Sequence, residues 1–353
     1  MKTNKPRVAV ASGENREQAV HNALELVHDE ICAKIRGTVL IKPNFLSSVD
    51  PLASTRADAV RPVLRLLRGL DTDVVLIGEG AARSTPVAFT NFGYEDLARE
   101  FGSTLVDLNR DSYSGEFEIL TQTRGRHVIQ YSDIAGSADI IVSVAVAKTH
   151  NFSTVTLSLK NMMGCLRRVC RPRMHGNRIG SVVETVAEPL WNYLEHYPYL
   201  LEVFFTTVFA VQHASRYIPQ RTPRGVTAGF RSQVRALSEN LVRLGAVLMP
   251  DIAVIDAFEA MEGNGPGRGT PVKMGIAVAG TEPISCDAVM AHLMGFDPME
   301  IGYLALAHEA ELGCARLDDI EILGEKSGRH VRICRPHSTH REQLKWRDAW
   351  KEL

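Results

Sequence analysis

The sequence predicts an α/β fold, a mostly parallel sheet with helices on both faces. Two observations carry that reading. Short β-rich runs alternate with helical stretches through the first half of the chain. These runs are near-continuous in apolar residues, the pattern of strands buried on both sides, where a half-exposed strand would alternate. At 353 residues, 45% of them hydrophobic, the chain is long enough for one large core or two modest ones.

Taken in order, residues 8–12 read as a strand, 16–35 as an amphipathic helix and 38–42 as a second strand, broken by Pro43-Asn44. Residues 58–70 read as a helix, 73–78 as a third strand, 94–101 as a helix and 104–107 as a short strand. The run 138–146 is the most apolar strand of the chain. Residues 181–245 read mostly as helix, with an aromatic-rich stretch from Trp191 to Tyr217 and a Pro-, Gly- and Arg-containing loop at 221–231. A strand at 251–256, a glycine-rich turn at 263–269, a strand at 272–279, helices at 283–294 and 301–312 and a strand at 320–323 complete the pattern. The chain reads as a single domain over 1–335, with intertwined lobes 1–150 and 151–335 as a subdivision. An aromatic-rich helical insertion lies near 190–232, and a polar tail, partly helical, runs over 336–353.

Forty basic residues against 41 acidic ones give a net charge of −1. That balance argues against a nucleic-acid partner, which needs a strongly basic face. No run of 18 apolar residues is present, and the N-terminus is polar, so the reading is a cytoplasmic chain without a signal peptide or membrane span. The six cysteines, Cys32, Cys165, Cys170, Cys286, Cys314 and Cys334, are spaced for neither zinc nor an iron–sulfur cluster and read as free thiols. The apolar stretch 200–214 is too short to span a bilayer; it reads most simply as a core helix, with a membrane-surface helix or a helix that pairs two copies into a homo-oligomer as alternatives.

In parallel sheets ligands sit beyond the carboxyl ends of the strands. Those ends carry Lys42-Pro-Asn44, Gly78-Glu79-Gly80 and Lys148-Thr-His150. Lys148 and His150, two apart on extended backbone, point the same way and combine a fixed charge with a group that titrates near neutrality. Thr156, Lys160 and Asn161 fit one face of a helix. Lys160 beside Lys42 and Lys148 would attract phosphate or carboxylate. Arg167, Arg168, Arg171, Arg173, His175 and Arg178 form a basic run that reads either as an anion clamp or as solvated surface. Cys165 and Cys170 beside it are buried hydrophobes or thiols lowered by the nearby charge. Asp256, Glu262 and His150 offer ligands to a divalent metal without diagnostic spacing; equally, the carboxylates orient the basic groups.

The string from Lys148 to Leu166 contains Lys148-Thr-His150 and then Thr156-x-x-x-Lys160-Asn161-x-x-Gly164. It resembles the domain of unknown function 362 family. Lys42-Pro-Asn44, Thr55, Gly78-Glu79, Asp256 with Met261-Glu-Gly-Asn-Gly-Pro266, and Asp287 with Gly295-Phe-Asp297 match that family's other elements in order. The resemblance implies little about activity. Many members are described as iron–sulfur proteins, but this chain lacks their clustered cysteines.

The expectation is an enzyme of isomerase or lyase type on a small anionic metabolite. His150, Lys148, Lys160 and Glu262 are its candidate catalytic groups. Lys42, Asn44, Thr55, Glu79, Asn161, Arg167, Arg168, Arg171, His175 and Asn264 are its candidate binding groups. A redox or metal-handling protein and a non-catalytic carrier of an anionic ligand are the rival readings.

Overall fold

Alternate residues along the strands feed two different helical layers, and this places the sheet in the middle of the molecule. The computed structural model describes residues 5–177, 193, 197, 200, 224–325 and 330–351. Its strands are β1 (Arg7–Ser12), β2 (Gly37–Lys42), β3 (Thr72–Glu79), β4 (Thr104–Asp107), β5 (Gly115–Leu120), β6 (Arg126–Tyr131), β7 (Ile140–His150), β8 (Thr154–Thr156), β9 (Ile252–Asn264), β10 (Arg268–Gly280) and β11 (Glu321–Gly324). The helices are α1 (Arg16–Leu26), α2 (His28–Cys32), α3 (Ala57–Leu67), α4 (Thr85–Asn91), α5 (Tyr94–Phe101), α6 (Asp133–Ser137), α7 (Ser158–Asn161), α8 (Arg224–Leu248), α9 (Pro283–Leu293), α10 (Gly302–Glu309) and α11 (His340–Gln343).

The main sheet runs β11-β1-β10-β9-β7-β2-β3-β4, with β8 added to the end of β7. From β9 through β7, β2 and β3 to β4 every pair is parallel, whereas β10 is antiparallel to both β9 and β1. The α/β expectation therefore holds, in a mixed sheet whose parallel part carries the strand ends of interest. Val8, Val10, Leu40, Ile141, Ala253 and Ile255 pack with α8, α9 and α10. Their neighbours in the chain, Ala9, Ala11, Val39, Ile41, Ile140, Val142, Ile252 and Val254, pack with α1, α3 and α5. This period of two on a doubly covered sheet explains why β7 is buried at every position.

Several boundaries differ from the sequence reading. The helix expected over 16–35 breaks at Val27 (φ −124°, ψ 21°), which lets Leu24, Val27 and Ile31 all face the core. Residues 224–231, expected as loop, open α8; Pro223 directly precedes it in sequence, where proline marks a helix start. The rest of the aromatic-rich segment, with the apolar stretch 200–214, lies outside the described residues apart from Tyr193, Tyr197 and Leu200. The hairpin β5–β6 was not anticipated. The glycine-rich segment at 263–269 is the tip of the β9–β10 hairpin, with Arg268 paired to Asn264. Thr156, expected on a helical face with Lys160, lies in β8, and the helix begins only at Ser158. Among the described residues no helix is long and apolar enough to cross a membrane.

Candidate functional site

Because β2, β3 and β7 are parallel, Lys42, Glu79 and the Lys148–His150 segment all leave the sheet along one edge. The polar residues there divide into a closed framework and an open cluster.

The framework is centred on Lys42, which is fully buried. Its ammonium donates to the Glu79 carboxylate, to Asn161 Oδ1 at 3.0 Å and to Pro43 O at 2.7 Å, so all three hydrogens are used. Asn161 Nδ2 returns bonds to Lys42 O at 2.9 Å and Ser143 Oγ at 3.0 Å. Gly164 closes over the pair; a Cβ there would stand 2.6 Å from Lys42 Nζ and 2.7 Å from Glu79 Oε1, so only glycine fits. Burial pushes the Glu79 carboxyl above its usual range, although Lys42, Arg171 and the Phe45 amide pull the other way. Arg171 donates from Nε to Leu166 O (3.0 Å), from Nη1 to Gly80 O (2.7 Å) and Ala81 O (3.2 Å), and from Nη2 to Asn109 Oδ1 (2.6 Å) and Gly164 O (3.1 Å). Five donors meet five acceptors. The expectation that Lys42 and Arg171 grip a ligand is corrected by this arithmetic, for neither has a hydrogen left to offer.

The open cluster comprises Lys148, His150, Thr156, Lys160 and His175. Cross-strand pairing sets Thr156 opposite Lys148 and Thr154 opposite His150. Lys148 donates to Asn44 Oδ1 and to Ala53 O at 2.7 Å. Asn44 is held by Thr55, whose hydroxyl accepts the Asn44 amide at 3.0 Å and donates to Val144 O at 2.8 Å. Lys160, only 8% exposed, has one hydrogen-bond contact among the described residues, the Met163 thioether at 3.4 Å. No ion pair within the described residues includes either lysine. Burial lowers Lys160 to about 8; burial and then the charge of Lys160 lower Lys148 to about 7.

His150 accepts the Phe152 and Ser153 amides on Nδ1 at 3.0 and 3.2 Å, so its neutral ring carries the proton on Nε2. Burial first, then the charges of Lys160 and His175, hold it well below its ordinary value. At neutral pH the ring can donate from Nε2, while Nδ1 already accepts two amides. The His175 ring stacks on it with centroids 6.1 Å apart; burial lowers His175 to about 3, and its Nδ1 is buried without a partner. Thr156 Oγ1 is likewise buried and unpartnered.

Two supports of this cluster were not among the candidate site residues. Asp287 caps α7, accepting the Ser158 and Leu159 amides at 2.7 and 3.1 Å and the Tyr303 hydroxyl at 3.1 Å, and so aims Lys160. Gln343, in the supposed polar tail, is buried against the β7–β8 turn. Its Oε1 accepts from Thr154 N (2.7 Å) and Oγ1 (2.9 Å), and its Nε2 donates to His150 O (3.0 Å). Thr154 has φ +64°, a left-handed conformation that a β-branched residue rarely adopts. Such strain costs roughly 1–3 kcal/mol and persists where neighbours enforce it. Gln343→Ala is expected to leave the Thr154 amide and the His150 carbonyl unpaired, at about 1–3 kcal/mol each. Urea denaturation should show that loss, and the amide of Thr154 should lose its protection from hydrogen exchange.

The remaining expected residues lie elsewhere. Arg167 donates to Gln130 Oε1 at 2.8 Å and Arg168 to Arg83 O at 3.2 Å. The C-terminal segment engages Glu262, through Arg335 N at 2.9 Å, and Asn264, through Ser338 N at 3.2 Å. Asp256 is buried in an ion pair with Arg16 at 2.6 Å. Asp256, Glu262 and His150 thus have three separate sets of partners, and among the described residues no three His, Cys, Asp or Glu side chains are grouped to hold a metal ion. Cys165 is not lowered by the arginine run; burial pushes it to about 12.

A thylakoid-associated protein of Synechocystis sp. is 22% identical over 269 residues, covering 76% of this chain and 66% of that protein. Among solved structures, the lactate racemase apoprotein of Thermoanaerobacterium thermosaccharolyticum is similar at a TM-score of 0.42 and 15% identity, covering 81% of this chain and 57% of that one. A protein of Thermotoga maritima is similar at 0.38 and 11% identity, covering 77% of this chain and 57% of that one. The chain therefore spans less than two thirds of each relative's length, and neither TM-score reaches the level of a shared fold. A family model matches residues 39–292, the span that carries β2 to β10 and both polar clusters: the chain belongs to the family described as domain of unknown function, DUF362.

Proposed function

We propose that this chain is an enzyme acting on a small anionic metabolite, a carboxylate or a phosphate, by proton transfer of the isomerase or lyase type. The observation that supports it is the pair of buried lysines, Lys148 and Lys160, with no carboxylate among the described residues bonded to either amine. A buried cation without a counter-ion is costly, and an entering anion offsets that cost. Lys148, held near neutrality, can give or take a proton. His150, kept neutral with its proton on Nε2, suits hydrogen bonding to an oxygen that gains charge during the reaction. The unpartnered Thr156 hydroxyl and His175 Nδ1 supply further polar contacts.

The test is thermal unfolding with inorganic phosphate and with simple carboxylates across pH. An anion binds the protonated lysines, whose values lie at about 7 and 8. Stabilisation is therefore expected to be full near pH 6.5 and to fade as the pH rises through 8 to 9. Ligand at about a hundred times its Kd should add roughly 2.7 kcal/mol. Equal shifts at pH 6.5 and pH 9.5, or none from any anion, would refute the reading.

A further inference from the structure

We propose that Lys160 is a nucleophile that forms an imine with the carbonyl carbon of a substrate bearing a carboxylate or phosphate. This rests on the anionic-site reading above and narrows it to carbonyl compounds, such as 2-oxo acids.

The two buried lysines are not equivalent. Lys148 spends two of its three hydrogens on Asn44 Oδ1 and Ala53 O, which fix its nitrogen in place. Among the described residues the Lys160 amine bonds only a thioether, a weak acceptor. Its position is nevertheless set, because Asp287 caps the short helix that carries it and Asn161, the next residue, is locked to Lys42 and Ser143. A held amine with no ion pair among the described residues, in a desolvated place, is the environment that activates lysine toward carbonyls. Burial also leaves about a tenth of such amines neutral at pH 7, against well under a thousandth for an ordinary lysine.

The surrounding groups fit the steps. The neutral Lys160 nitrogen attacks the carbonyl carbon; a C–N bond forms, and the π electrons move to oxygen. That oxygen takes a proton from the Lys148 ammonium, giving a carbinolamine. Lys148, now neutral, removes the extra proton from the new C–N nitrogen. It then returns that proton to the hydroxyl, which leaves as water while the nitrogen lone pair closes the C=N bond. One amine, one carbonyl and one proton give one iminium ion and one water, and Lys148 ends one proton short, to be refilled from solvent. Cross-strand pairing sets Thr156, four residues before Lys160, opposite Lys148, and the charge of Lys160 acts on both Lys148 and His150. The resulting iminium withdraws electrons from the adjacent carbon, the activation that isomerase or lyase proton transfer requires.

The experiment is reductive trapping on the full chain at pH 7, with glyoxylate and separately pyruvate as probes and cyanoborohydride as reductant. Modified lysines are mapped and timed by peptide mass spectrometry. With at least one probe, Lys160 is expected to be alkylated about tenfold or more faster than exposed lysines such as Lys351, with inorganic phosphate slowing it. Lys160→Arg should abolish the fast phase without changing surface labelling, and Lys148→Arg should slow it. If Lys160 reacts with neither probe, or no faster than Lys351, the imine is overturned. Should phosphate still stabilise the protein in that case, the anion site stands without it; should phosphate fail as well, both readings fall.

Discussion

Lys42→Met is expected to destabilise the protein by about 3–5 kcal/mol, the loss typical when one partner of a buried ion pair is removed. The ammonium of Lys42 is the ion-pair partner of Glu79, and both side chains are buried, at 0% and 2% exposure. Methionine preserves the volume but leaves the carboxylate desolvated. The pH dependence follows from the direction in which burial already moves Glu79, namely upward. A carboxyl raised in the folded state favours folding when protonated, so the loss should be smallest near pH ~5 and grow as the pH rises toward ~8. Lys42→Met combined with Glu79→Gln removes both charges and should recover a good part of the loss. Urea denaturation of the two single variants and the double at three pH values checks this. Independent, additive effects would show that Lys42 and Glu79 are not coupled in the way their geometry requires.

That pair also shows where sequence reading stops. Lys42, Lys148 and Lys160 look alike in one dimension, since each sits at a strand end or within the motif around 148–166. The strand ends were legible because continuous apolar runs are hard to mistake, and β7 does run through Lys148 to His150. What separates the lysines is their acceptors, and these come from across the chain. Glu79 is 37 residues from Lys42, and Asn44 is 104 from Lys148. Thr156 and Lys160 misled by a coincidence of spacing. Four residues fit a helical face, but here β8 ends, the chain turns and α7 begins between them. Gln343 reaches the His150 carbonyl over 193 positions. Its segment read as a tail because it is polar, yet Trp346, 2% exposed in the structure, was a signal that it docks.

Lys160→Met should raise stability and abolish ligand binding together. In the free protein the Lys160 amine is buried against a thioether and gives up hydration for no oxygen acceptor among the described residues. Methionine fills nearly the same space without the charge, so a gain of about 1–3 kcal/mol is expected at pH 7. The sign with pH is fixed by the lowered value of about 8 against the ordinary 10.5. Below 8 the folded protein carries the charged amine at full cost, and the gain is whole. Between 8 and 10.5 the folded amine sheds its proton while the unfolded one keeps it, so the gain declines toward zero. Lys148→Met should gain less, because removing its buried charge is set against stranding Asn44 Oδ1 and Ala53 O, at about 1–3 kcal/mol for each acceptor. Thermal unfolding of both variants with and without phosphate separates the two cases. If Lys160→Met were less stable than the parent at pH 7, Lys160 would be a structural lysine and the anionic site would lose its centre.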